Sequence, residues 1–172
     1  MGCSVVLARD GAVGAVDPWG VGALVGCNAV GDVMDPATGQ VLAGARTVDG
    51  LRLLDTQRAL MADGRDHRLL SGINTTIGVV ATNASLTKPQ AKRLAMSAHD
   101  DLARSVRPTH TTLDGDALFA LPTGTENGTP DLMLLTVTGA EATALATVDA
   151  IRQAQGITIQ TGLVPAAMNR IA

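Results

Sequence analysis

Asn74, Thr75 and Thr76 stand where a loop, Ser71-Gly72-Ile73, runs into an apolar stretch ending near Thr82. Three readings of this hydroxyl pair compete. Threonine favours strands because its branched Cβ packs on a pleated face, so two threonines at a strand start are ordinary. Asn74-Thr75-Thr76 also fits the glycosylation pattern N-x-[ST], as do Asn83-Ala84-Ser85 and Asn127-Gly128-Thr129. The third reading is chemical. A threonine hydroxyl beside a strained peptide can attack the preceding carbonyl, forming an ester that water then hydrolyses. The new chain begins at Thr75, whose hydroxyl is the nucleophile and whose α-amine, with a pKa of about 8, is the base. Such a site needs no histidine, and His67, His99 and His110 show no triad-like spacing. It does need an oxyanion donor and groups that orient the amine.

The totals narrow the classes. At 172 residues the chain fits one domain with a sizeable core. With 46% hydrophobic and 17% charged residues it is globular rather than disordered. A net charge of -3 without a basic cluster argues against nucleic acid as a partner. One Trp, one Phe and no Tyr leave the core to Ala, Val, Leu, Ile and Met. Cys3 and Cys27 make neither a disulfide framework nor a metal motif, and read as buried reduced thiols. No ligand cluster suggests a metal, and no cofactor is expected. Gly2-Cys3-Ser4 only faintly resembles an acylation signal, since Val6 stands where a hydroxyl is required. No leader pattern and no apolar run of about 18 residues is read, so a cytoplasmic protein without a membrane partner is expected, which weakens the sugar reading.

The elements that would position Thr75 follow from periodicity. Residues 1–20 read poorly, and their glycines do not fit G-x-G-x-x-G. Residues 21–33 read as one buried, glycine-punctuated strand, and a short strand follows around Gln40 to Ala43. A helix is expected within 48–64, from Leu51, Leu54, Arg58 and Met61, then an exposed charged loop over 65–73. After the strand Thr76–Thr82 comes a helix over 88–105, opened by a Thr87/Gln90 capping box and carrying a stripe of Ala and Leu. A strand at Ala117–Leu121, a helix over 137–156 and a strand at 157–161 complete the chain. Strands alternating with helices predict an α/β layered domain.

These motifs, in this order, resemble the DmpA-like family of self-processing aminopeptidases, N-terminal nucleophile hydrolases of peptidase family S58. The resemblance runs from about residue 20 to 125. It rests on VGALVGCNAVGDV (21–33), a strand opening on Asn74-Thr75-Thr76, the helix RLAMSAHDDLAR (93–104) and HTTLDGD (110–116). It implies an αββα sandwich of the type shared with ornithine acetyltransferases, incomplete here because the front portion of family members is absent. That portion supplies strands, part of the substrate pocket and another oxyanion donor. Residues 1–172 would be a single domain matching the C-terminal half, with self-cleavage between Asn74 and Thr75. Thr75 would be the nucleophile, Asn28 the oxyanion donor and Asp116 the group orienting the amine. Asp114, where relatives carry a hydroxyl, would be a further site residue. For Asn28 a strand-end cap, and for Asp114-Gly115-Asp116 a plain turn, stay open as readings. His110 is expected to support the loop, and His99 to be structural. The implied activity is hydrolysis of N-terminal residues from small peptides or amides, by a homo-oligomer or by two associated fragments. The alternatives are a non-catalytic remnant or acyl transfer of the ornithine acetyltransferase kind.

Overall fold

Valine, alanine and glycine dominate the strands, and small residues face inward along the longest helix, so close approach governs the architecture. The computed structural model describes residues 2–8, 18–63, 74–159 and 162–164; the expected loop at 65–73 and the chain's end lie outside them. The elements are β1 (Gly2–Ala8), β2 (Val21–Cys27), β3 (Asp32–Met34), β4 (Val41–Ala43), α1 (Thr56–Asp63), β5 (Ile77–Ala84), α2 (Lys88–Ser105), β6 (Val106–Arg107), β7 (Ala117–Glu126), α3 (Leu132–Gln153), β8 (Ile157–Ile159) and β9 (Gly162–Val164).

The main sheet has the order β1-β2-β5-β7. The β1–β2 and β2–β5 pairs are antiparallel, whereas β5 and β7 are parallel, with Ile77 opposite Ala117. Parallel neighbours require a crossover, and α2 provides it. Alternation then sorts the side chains. Val21, Ala23, Val25, Val80, Ala84 and Leu118 are buried beneath α2 and α3, against Leu94, Ala98, Leu102 and Leu135. The opposite face leaves Leu24 at 37%, Ile77 at 54%, Phe119 at 58% and Leu121 at 54% exposure, an uncovered apolar surface. A small sheet, β4-β3-β6, flanks the core, and β8–β9 form a separate pair.

Several boundaries differ from the sequence reading, each for a local reason. The expected strand 21–33 breaks into β2 and β3 around Asn28 to Gly31. The expected 48–64 helix contracts to α1, because Asp49 accepts the Leu51 N–H at 3.0 Å and closes a turn first. Buried Asp32 then takes the Thr56 hydroxyl at 2.7 Å at the start of α1. The helix over 88–105 holds, and the Thr87 N–H donates to Gln90 Oε1 at 2.9 Å. β7 runs past Leu121 through Pro122, which a sheet edge tolerates. α3 starts earlier than expected because Asp131 caps it, accepting the Leu134 N–H at 3.1 Å. Residues 2–8, which carried no clear pattern, form the outer strand β1.

α3 is long and apolar enough to cross a membrane, at a hydropathy of 1.3, but 67% of that stretch is buried. Apart from Leu135 and Val148 its buried face is Ala, Gly and Thr, and Thr143 and Thr147 satisfy their hydroxyls on carbonyls one turn earlier. A Cβ on Gly139 would stand 2.7 Å from Leu94, so glycine there lets α2 and α3 close on each other.

Candidate active site

The scissile-bond candidate lies at the mouth between β2 and β7. Asn74 forms an isolated parallel bridge with Asp114, and the Thr75 N–H donates to the Asn28 carbonyl at 2.9 Å. These two contacts draw the residue after β2 and the loop before β7 to the start of β5. All five residues singled out by the sequence, Asn28, Asn74, Thr75, Asp114 and Asp116, therefore meet in one place.

The Asn74 carbonyl oxygen is held from two sides. Gly115 N–H donates to it at 3.0 Å, and the Thr75 hydroxyl donates to it at 2.8 Å. The hydroxyl thus sits on the carbonyl that it would attack, while an amide is already aimed at the oxygen on which charge would develop. A Cβ on Gly115 would come within 2.8 Å of Thr75 Oγ1, so the approach depends on glycine. The pattern Asp114-Gly115-Asp116 does not by itself mark the glycine as a donor. Its N–H becomes visible only once Asn74 and Asp114 are paired.

The two aspartates do different work. Asp114 accepts the Thr111 N–H at 2.9 Å and the Thr111 hydroxyl at 2.8 Å on one oxygen, and the Val30 N–H at 3.3 Å on the other. It ties the 111–114 turn to the loop after β2. Asp116 is 4% exposed at its side chain and accepts the Thr76 N–H at 2.8 Å. Its second oxygen meets Thr109 Oγ1 at 3.2 Å and His110 Nδ1 at 3.1 Å. His110 supports this loop, as expected. His99 reaches it from α2, Nδ1 lying 3.3 Å from His110 Nε2, a contact that helical placement alone did not disclose.

Cys27 lies beneath the site, reduced and buried. Burial pushes its thiol above the ordinary value, and the Asp116 charge adds to that, while the neighbouring Thr76 side chain and the backbone at Ala29 oppose it. Among the described residues no group of His, Cys, Asp and Glu is arranged to hold a metal. Of the glycosylation matches, Asn83 already uses its amide, taking the Gly20 N–H at 2.7 Å and giving an N–H to the Pro18 carbonyl at 3.3 Å.

Comparison with known proteins places the chain in a family. The family described as peptidase family S58 matches residues 3–164. An uncharacterized aminopeptidase of Mycobacterium leprae is 40% identical over 164 residues, covering 86% of this chain and 45% of its own length. A 6-aminohexanoate-oligomer endohydrolase of Kocuria sp. is 35% identical over 104 residues, covering 59% of this chain and 29% of that protein. Among solved structures, the L-aminopeptidase D-Ala-esterase/amidase of Ochrobactrum anthropi, described as a variant of the Ntn hydrolase fold, matches with a TM-score of 0.57 and 20% identity. That match takes in 96% of this chain and 44% of that one. A Burkholderia sp. beta-aminopeptidase matches at 0.54 and 24% identity, over 96% and 45% of the two chains. These structural matches share the layered α/β fold, and the chain spans under half the length of the relatives named here.

Proposed function

Since the chain belongs to peptidase family S58, we propose that it is the nucleophile-bearing half of a self-processing aminopeptidase or amidase whose working residue is Thr75. The carrying observation is the Asn74 carbonyl oxygen, held at 3.0 Å by the Gly115 N–H with the Thr75 hydroxyl 2.8 Å away. In the proposed step Thr75 Oγ1 leaves that oxygen and bonds to the Asn74 carbonyl carbon, and the Gly115 N–H steadies the resulting oxyanion. The hydroxyl proton passes to the Thr75 nitrogen, the C–N bond breaks, and Asn74 is left as an ester on Thr75. Water hydrolyses the ester, giving a carboxylate at Asn74 and a free amine and hydroxyl at Thr75.

In the mature enzyme the Thr75 amine takes the hydroxyl proton as base. Asn28 would then supply an amide to the substrate oxyanion, Asp116 would orient the amine through the Thr75–Thr76 segment, and Asp114 would fix the loop rather than touch substrate. The substrate class is a small peptide or amide with a free amine. The similarity to an oligomer endohydrolase extends that class to amides of ω-amino acids. No cofactor enters this chemistry. Residues 1–172 form one domain in this proposal, and a partner half covers the open sheet face. The remnant and acyl-transfer readings remain as the alternatives that the test separates.

Intact-protein mass spectrometry on freshly purified chain is the test. Two masses split after Asn74 are expected, with Thr75→Ala giving one mass and Thr75→Ser retaining the cut. A single uncut wild-type mass, in the presence of the front half of a relative as well as alone, would sink the nucleophile reading and leave the remnant. Transfer of an acyl group between amino acids in preference to hydrolysis would favour the acyltransferase.

A further inference from the structure

Behind Asp116 the hydrogen bonds continue away from the nucleophile. Asp116 Oδ1 holds the Thr76 N–H, Oδ2 meets His110 Nδ1 at 3.1 Å, and His110 Nε2 meets His99 Nδ1 at 3.3 Å. The imidazole centroids are 4.9 Å apart. A carboxylate only accepts, so His110 must carry its proton on Nδ1 and present a bare Nε2 to His99, which must then donate from its own Nδ1. Both tautomers are thereby fixed. One proton added at His99 Nε2, the free end of the chain, leaves every bond intact and places a cation in line with the Asp116 anion. A second proton would set two N–H groups against each other at the ring contact, so the pair accepts one and resists the next.

We propose that His110 and His99 are positioning residues, a two-imidazole strut that shares a single proton and holds Asp116 fixed against the Thr75–Thr76 segment. This rests on the reading of Thr75 as nucleophile for its functional consequence, though not for its existence. The surroundings fit. His99 is half-buried on α2, His110 in the middle of the strut keeps 40% of its side chain exposed, and Asp116 at its inner end is almost wholly buried. The charged groups facing it are Asp116 from the 109–116 loop and Asp100 from α2. Asp114 is turned to Thr111 and Val30, and Cys27 from β2 lies beyond Asp116. Burial, and after it the charge of His110, push the His99 imidazole below the ordinary histidine value, while Asp116 and Asp100 pull it up. His110 has φ 54, a backbone conformation that asparagine tolerates, so His110→Asn is the conservative probe.

The experiment has two arms on the full chain. Histidine ring-nitrogen NMR is recorded against pH on the Thr75→Ala chain, which cannot cut itself, with and without His99→Gln. The strut predicts an Nδ1–H tautomer at both His110 and His99, and a His110 ring-nitrogen signal whose course with pH changes when His99 is replaced. Identical His110 signals in the two chains would overturn it. The second arm follows self-cleavage of otherwise wild-type chain by mass spectrometry across pH. With His110→Asn or His99→Gln, acid should arrest cleavage at a higher pH than in the parent, because Asp116 loses the imidazole chain that faces it. An equal slowing at every pH would reduce both histidines to packing and sink the proposal. A parent chain that never cleaves, with the NMR coupling present, supports the strut while removing the nucleophile reading.

Discussion

Gly115 is where one missing carbon decides the chemistry. Its N–H is retained by any residue except proline, but a Cβ would crowd Thr75 Oγ1 at 2.8 Å. Gly115→Ala is therefore expected to slow self-cleavage about 100-fold, the usual scale for misplacing a reacting group by an ångström. The time course of fragment masses checks this, and an unchanged rate would mean that the hydroxyl has room elsewhere. Asn28→Ala should lower turnover of a small amide substrate by about 100-fold, with the melting temperature little changed, if its amide serves the substrate oxyanion. Cys27 makes a pH prediction. Its folded pKa is raised above the ordinary 9.0, so the neutral thiol is favoured in the native state. The associated stability is fully present below the unfolded pKa and is lost as pH rises through the folded one. Melting temperatures above about pH 8.5 should fall more steeply in wild type than in Cys27→Ala.

At the scale of elements, the seam between α2 and α3 carries the positioning of the site. α2 brings His99 to the loop and ends where β6 and the 109–116 loop begin, so its seat on α3 sets where Asp116 lies. Leu94 is fully buried, and Leu94→Ala should cost about 2–5 kcal/mol in urea unfolding. Gly139→Ala alone should destabilise, because the added methyl meets Leu94 at 2.7 Å. Combined with Leu94→Ala it should cost less than the sum, since the methyl then fills part of the space vacated. Strict additivity in that double-mutant cycle would mean the two residues do not meet.

For the whole molecule, the cut and the open face have opposite consequences. Cleavage after Asn74 would place β1 and β2 in one fragment and β5, α2 and α3 in the other. The β2–β5 ladder, Val21 to Thr82 through Gly26 to Ile77, joins them, so the fragments should co-elute in gel filtration and separate only in denaturant. The face bearing Leu24, Ile77, Phe119 and Leu121 exposes apolar surface of the kind that drives association. The isolated chain should self-associate or bind a hydrophobic dye, and Ile77→Ser with Phe119→Ser should reduce both. A monodisperse, dye-negative wild-type chain would mean that this face needs no cover.

By itself the sequence determined the local matters. The capping box and Ala/Leu stripe fix α2, the alternation of Val and small residues fixes β2 and β5, and the motif order around Asn74-Thr75-Thr76 identified the family. It left β1 unread because Gly2–Ala8 has no clear alternation, and it placed the start of α3 late because the cap at Asp131 weighs less in a pattern than the apolar run after it. Only the tertiary structure decided what surrounds Thr75. The Gly115 N–H, the Asp116–His110–His99 chain and the bond to the Asn28 carbonyl join residues that are from 6 to 47 positions apart in the numbering. No periodicity encodes such meetings. They arise when a parallel β5–β7 pairing and its α2 crossover bring strand ends together, and the energy that enforces the pairing comes from the core beneath them rather than from the site itself.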